Sequence, residues 1–214
     1  MATVTDSSAT LAAGPETPVS ASTAVPPFTF WRWSVEKYHE MVRAGILTED
    51  DPVELLDGWI VKKMTKSPLH STVTGLVREA VHQYLPKGFF VNSQEPITLA
   101  ESEPEPDLVI VRGDRLDYLD RHPGPADVIL VGEVTDSSLP RDRVYKKSLY
   151  AAAGIAVYWI VNLVDRRLEV YSDCTSSVSG ADYARSDFYG IEDKAPLVIE
   201  GRTVAEIPIR EILP

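Results

Sequence analysis

Apolar residues recur along this chain in two rhythms, and the switches between them lay out the fold. After Ser34, the positions Val35, Tyr38, Met41 and Val42 share one helix face. Ser34 is placed to cap that helix and Gly45 to stop it. VELLDGWIVKKM (53–64) then reads as two short strands around Asp57-Gly58, a dipeptide suited to a tight hairpin turn. Between Leu69 and Leu85 a second helical face runs through Val73, Leu76, Val77, Ala80, Val81 and Tyr84, and Pro86 and Gly88 end it. Strands are expected over Phe89–Glu95, LVIVR (108–112), VILVGEV (128–134), IAVYWIV (155–161) and RLEVYS (167–172), with a helix over Pro140–Ala153 stopped by Gly154. Residues 172–194 are polar and predict loops with one short strand, and AEIPIREIL (205–213) predicts a closing turn. Strands interleaved with two or three helices give an α/β (α+β) domain with a central mixed sheet flanked by helices.

Composition bounds this picture. With 214 residues, 44% hydrophobic and 25% charged, the chain is of ordinary soluble type and suits one domain over 27–214. Residues 1–26 are rich in Ser, Thr, Ala and Pro without Lys or Arg, which predicts a disordered tail and neither a secretory signal nor a transit peptide. The single cysteine, Cys174, allows no internal disulfide and no cysteine-cluster metal site, and points to the reducing cytoplasm. No apolar run is long enough for a membrane span. The net charge of −11, from 32 acidic and 21 basic residues, argues against binding nucleic acid through the surface at large. A local basic groove stays open, because net charge is a sum and a site is a place.

Three features carry candidate chemistry. Glu133 stands in DVILVGEVTD, a strand apolar on both sides, where a carboxylate needs a metal, a cation or hydrogen bonds to compensate its burial. The plain alternative is a carboxylate at the strand end, meeting water or an arginine. Asp107 opens LVIV after Glu105-Pro106 and could simply mark a turn. If the two strands are neighbours, however, Asp107 and Glu133 can converge on one hard cation such as Mg²⁺ or Mn²⁺. The third feature is the run RDRVYKK, where Arg141, Arg143, Lys146 and Lys147 outnumber Asp142. A solvated helix face with an Asp142–Lys146 pair would explain it without function. A lysine beside two metal-binding carboxylates would instead serve phosphodiester hydrolysis. Tyr158-Trp159 reads as sheet core, not as a base-stacking platform.

The blocks ELLDGWIV (54–61), SPLH (67–70), EPDLVIV (105–111), GEVTDSS (132–138) and DRVYKKSLYAAAGIAVYWIVN (142–162) together resemble the Uma2-type family, also known as DUF820. These are restriction endonuclease-like proteins of the PD-(D/E)xK nuclease superfamily. The resemblance runs from about Phe28 to Val170, and its last block, with Lys146, Tyr150, Gly154 and Tyr158-Trp159-Ile160-Val161, is the most specific part. It implies a restriction-endonuclease-like core, with Pro106-Asp107 as the PD and Glu133 as the second acid. The superfamily lysine two residues beyond that acid is replaced by Thr135, and the resemblance implies that Lys146 on the following helix takes its role, with Lys147 the nearby alternative. Glu54 matches a further acidic position and His70 the SPxH histidine. Taken alone, Glu54 would read as a solvated residue beside a hairpin and His70 as a helix-start residue. The chain departs from the family at Asp136-Ser137-Ser138, where Ser-Pro-Ser is common, and at Glu105, where Gln is common.

The leading expectation is therefore a Mg²⁺- or Mn²⁺-dependent endonuclease acting on DNA. Asp107, Glu133 and the carbonyl of Val134 would hold the metal, Lys146 would position water, and Glu54 and His70 would assist. The alternatives are a catalytically inactive nuclease-fold binding or assembly module and, less consistent with the basic run, a glycosidase-type carboxylate pair. A sheet edge or the hairpin at Asp57 could pair two subunits as a homodimer.

Overall fold

The computed structural model describes residues 29–48, 50–177 and 180–214. Contacts group the chain into Met1–Trp31 and Arg32–Pro214, and every helix and strand below lies in the second unit. The tail expected over residues 1–26 falls outside the described residues.

Helix α1 (Val35–Arg43) begins where Ser34 Oγ accepts from the Lys37 amide at 3.3 Å. The hairpin of β1 (Val53–Leu56) and β2 (Trp59–Lys62) turns through Asp57 and Gly58, at φ 46° and 75°. This is the left-handed pair that matches strand twist. A Cβ on Gly58 would lie 2.7 Å from Cβ of Arg32 and 3.0 Å from the Trp33 carbonyl oxygen, so the close approach of that segment also requires glycine. Helix α2 (Pro68–His82) is capped by Ser67, whose Oγ accepts from the His70 amide at 3.1 Å, and Pro68 stands where a missing N–H costs nothing.

The main sheet contains β3 (Phe89–Asn92), β4 (Leu108–Arg112), β5 (Val128–Thr135), β6 (Val157–Asn162), β7 (Arg167–Ser177) and β8 (Gly180–Gly190), in that spatial order. Only β5 and β6 run parallel, so the sheet is mixed. A parallel pair needs a crossover, and here it is helical: α3 (Leu139–Arg141), a π-turn over Asp142–Lys146, then α4 (Lys147–Ala152). The helix expected over 140–153 is thus present but broken by one wide turn. An antiparallel ribbon of β9 (Lys194–Ile199) and β10 (Arg202–Pro208) and the short α5 (Ile209–Ile212) complete the chain.

Alternation along the strands divides the core. Leu108, Ile110, Trp159 and Val161 pack with Val73, Val77 and Val81 of α2 and with the β9–β10 ribbon. Val109, Val131, Tyr158 and Ile160 pack with Leu149 and Tyr150 of α4. Tyr158 and Trp159 are both wholly enclosed, which makes them sheet core. Residues 172–194 depart from the expected loops. Most of them continue β7 and form β8, each strand 11 residues long. Their outer ends bury little beyond Tyr183, so backbone pairing holds them and no apolar alternation marks them.

An ionic cluster braces the β6–β7 hairpin. Glu169, fully enclosed, accepts from Arg143, Asn162, Arg167 and Tyr171. Burial alone would raise its carboxyl, but these donors overcome it and hold the group down to about 2. The folded chain therefore binds fewer protons here than the unfolded chain. The stability this provides is complete above about pH 5 and is lost as pH falls toward 2. In urea titrations from pH 5 to pH 2, wild-type protein is expected to lose up to about 3 kcal/mol more than Glu169→Gln, which has no carboxyl to protonate.

Candidate active site

The β4–β5 register places the two strand carboxylates side by side. Leu108 pairs with Gly132, so the next residues outward, Asp107 and Glu133, lie across from each other. Pro106 cannot continue the ladder as a donor, and the Asp107 side chain takes over the edge: its Oδ2 accepts from the Val134 amide at 2.9 Å. The N–H of His70 Nε2 donates to the same oxygen at 3.1 Å. N–H and C=O of one strand residue point to the same side, so the Val134 carbonyl opens toward the same edge of β5.

Glu133 receives its partners from the crossover. Lys146 Nζ donates to Oε1 at 2.8 Å and Tyr150 Oη to the same oxygen at 2.7 Å. Four residues apart, Lys146 and Tyr150 share one helix face, which is what lets both reach a single carboxylate. Glu54 of β1 also lies near Lys146, 3.8 Å from its Nζ, and its Oε2 accepts from the Glu105 amide at 3.3 Å. Asp107, Glu133, Lys146, Glu54 and His70 are all buried, Lys146 being only 3% exposed. The structure thus brings all five sequence-predicted side chains together. Lys147 goes elsewhere, pairing with Asp182 of β8 at 2.9 Å.

Burial and charge set the protonation balance. Burial pushes the Glu133 carboxyl above the usual carboxylate range, and Lys146 offsets only part of that rise. Burial works against the Lys146 ammonium, but Glu133, Glu54 and Asp142 together outweigh it and raise its pKa. Burial likewise opposes both ions of the Asp107–His70 pair. Their mutual contact prevails, holding the carboxyl low and the imidazole high.

These residues line a cleft of about 60 Å³, room for a few water molecules or a hydrated ion. Lys63, Lys66 and Arg141 stand on its wall, with Asp136 and Asp142. Glu105, the acidic departure from the family pattern, is neutralised by Lys63 at 2.8 Å. Asp136, the other departure, accepts from Ser67 Oγ at 3.0 Å and so ties the start of α2 to the end of β5. Asp142 was legible only as half of a helix-face ion pair, yet it is buried. Its Oδ2 accepts from Ser138 at 2.6 Å while Oδ1 has no hydrogen-bond partner. Its position four residues before Lys146 puts both on one side of the crossover, but that spacing alone does not tell a cleft from a solvated face.

One oxygen of each strand carboxylate is committed to protein donors, leaving Asp107 Oδ1 and Glu133 Oε2 without a protein partner. Hard carboxylate oxygens beside a backbone carbonyl fit Mg²⁺ or Mn²⁺ in kind. Among the described residues no group of three or more His, Cys, Asp or Glu is arranged to hold an ion. A cation here would complete its shell with water, backbone oxygen and substrate, as Mg²⁺ commonly does. No helix among the described residues is long and apolar enough to cross a membrane.

A mixed sheet carrying adjacent carboxylates, with a buried lysine brought over them by a helical crossover, has the form of a restriction-endonuclease-like core. Residues 35–197 match the Uma2 family, described as "Putative restriction endonuclease", and the chain belongs to that family. Among solved structures it is similar to one from Anabaena variabilis ATCC 29413, described as "a putative nuclease belonging to DUF820". The TM-score is 0.59 at 12% identity, over 84% of this chain and 96% of the other, a likeness of fold. Comparison with curated proteins gives no match.

The Glu133 contacts predict a stability effect. Tyr150→Phe removes one of the two donors to a buried carboxylate and should lower unfolding free energy by about 1–3 kcal/mol in urea titration. An unchanged midpoint would show that Lys146 alone satisfies Glu133.

Proposed function

We propose that the protein is a divalent-metal-dependent endonuclease that hydrolyses DNA phosphodiester bonds. The observation that carries this reading is the juxtaposition of Asp107 and Glu133 on neighbouring strands with Lys146 bonded to Glu133. Asp107 Oδ1 and Glu133 Oε2 would hold Mg²⁺ or Mn²⁺, with the Val134 carbonyl as a further oxygen ligand. Such an ion supplies charge that polarises the phosphate and acidifies bound water.

The remaining work falls to the chain itself. Lys146 keeps an ammonium at the cleft, where it orients water and offsets negative charge growing on the phosphate. Glu54 is a second carboxylate beside that ammonium, and His70 fixes the orientation of Asp107 by donating to Oδ2. Arg141, which makes no hydrogen bond through its buried Nε, and Lys66 give the cleft wall positive charge for the flanking phosphates. In a chain of net charge −11, DNA contact is then confined to this cleft. The free Cys174 suits a reducing cytoplasm.

Incubation with supercoiled and linear DNA in Mg²⁺ or Mn²⁺ tests the proposal. Wild-type protein should nick or linearise the plasmid, and Asp107→Ala and Lys146→Ala should each lose about 100-fold or more in rate. Lys147→Ala should cleave like wild type. Cleavage by Asp107→Ala equal to that of wild type would sink the reading. Calorimetry separates it from the binding-module alternative: no heat with either metal, together with no cleavage, favours the module.

A further inference from the structure

We infer that the ion pair of Arg143 with the buried Glu169 is a positioning element for Lys146, clamping the π-turn against β7 so that Lys146 faces Glu133. The inference rests on the nuclease reading only for its effect on rate. Its structural content stands without it.

The π-turn over Asp142–Lys146 is an unusual local conformation in need of support. A π-turn closes i to i+5 bonds, one residue more per turn than an α-helix. Relaxing it to α would shift the two flanking helical segments by one residue relative to each other, about 100° of rotation. With α3 held in place, Tyr145 would then take the position of Lys146. Such turns persist where the surroundings over-determine them.

Arg143 is the residue that ties the turn to the β6–β7 hairpin. Glu169 is fully enclosed, and its donors Asn162, Arg167 and Tyr171 all belong to β6 and β7. Only Arg143 reaches in from the crossover. It does so with two guanidinium nitrogens on the two carboxylate oxygens, Nε lying 3.0 Å from Oε2, and it meets Asp165 at 3.2 Å as well. A forked contact of this kind fixes orientation as well as distance. Asn162, Arg167 and Tyr171 already bond to Glu169 within the hairpin, so the hairpin does not depend on Arg143 for donors. What Arg143 adds is a tie between the hairpin and the turn that ends in Lys146, three residues on. Other contacts hold the turn on other sides: Tyr158 Oη donates to the Asp142 carbonyl at 3.2 Å and Tyr145 Oη to Asp57 Oδ2 at 2.8 Å, while Lys147, just after the turn, pairs with Asp182.

The test reads the position of Lys146 directly. In the full chain, reductive methylation followed by mass spectrometry should leave Lys146 protected and label the more exposed Lys147. In Arg143→Met, Lys146 should label at a rate comparable to Lys147, while Arg143→Lys should restore part of the protection. On DNA, Arg143→Met should lower kcat by about 100-fold, as expected for a misplaced catalytic group, with KM little changed. Should Arg143→Met fail to fold, the paired replacement Arg143→Met with Glu169→Gln decides, because it removes the carboxylate charge while keeping an oxygen for the donors Asn162, Arg167 and Tyr171. A folded variant lacking the pair, in which Lys146 stays protected, overturns the inference. If wild-type protein cleaves no DNA yet Lys146 becomes exposed in Arg143→Met, the clamp stands and the nuclease reading falls.

Discussion

Burying a carboxylate in the middle of a sheet is costly unless the chain compensates it on the spot, and much of this architecture follows from doing so for Glu133. All eight positions of β5 are buried, so bulk water does little for that side chain. Compensation has to arrive from a neighbouring element. The parallel pairing of β5 with β6 requires a crossover, and this crossover brings Lys146 and Tyr150 onto one oxygen of Glu133. Lys146 is in turn a buried cation and needs more than one carboxylate around it. The β1–β2 hairpin places Glu54 for that purpose, and Asp142 adds its field from the π-turn.

The same constraint distributes the basic residues of an acidic chain. Arg141, Arg143, Lys146 and Lys147 form the densest positive run in the sequence, but each side chain has its own direction. Arg143 goes to Glu169, Lys147 to Asp182 and Lys146 into the cleft, leaving Arg141 on the cleft wall. A run that reads as one basic face is in fact four side chains with separate acidic partners, Arg141 lying 3.8 Å from Asp142 on the cleft wall. Positive charge reaches the cleft from several elements at once, with Lys66 following β2 and Arg141 ending α3.

Much of this was legible in the sequence, for identifiable reasons. Period-two and period-3.6 patterns marked the hairpin at Asp57-Gly58, helix α2 and strands β4 to β6, because those elements bury one face or both. The first half of β7 was marked by RLEVYS, but its outer half and the length of β8 were missed, since that outer half buries little and leaves no apolar trace. The break in the crossover helix was missed too. A π-turn is imposed by contacts such as Arg143 with Glu169, which lie far apart in the chain. At the site, Asp107, Glu133 and Lys146 stood out through the family pattern, and the choice of Lys146 over Lys147 follows from helix phase. Asp142 was hidden because an i, i+4 acid–base pair looks the same on a solvated surface as beside a cleft.

The position two residues beyond Glu133 couples the strand end to the crossover. Thr135 is fully enclosed, and its hydroxyl bonds Ser138, which in turn holds Asp142 at the start of the π-turn. A relay of short polar side chains thus runs from the last residue of β5 into the turn. A longer side chain at 135 would break the link to Ser138 and disturb strand end and turn together, so the two are one mechanical unit although they differ in secondary structure.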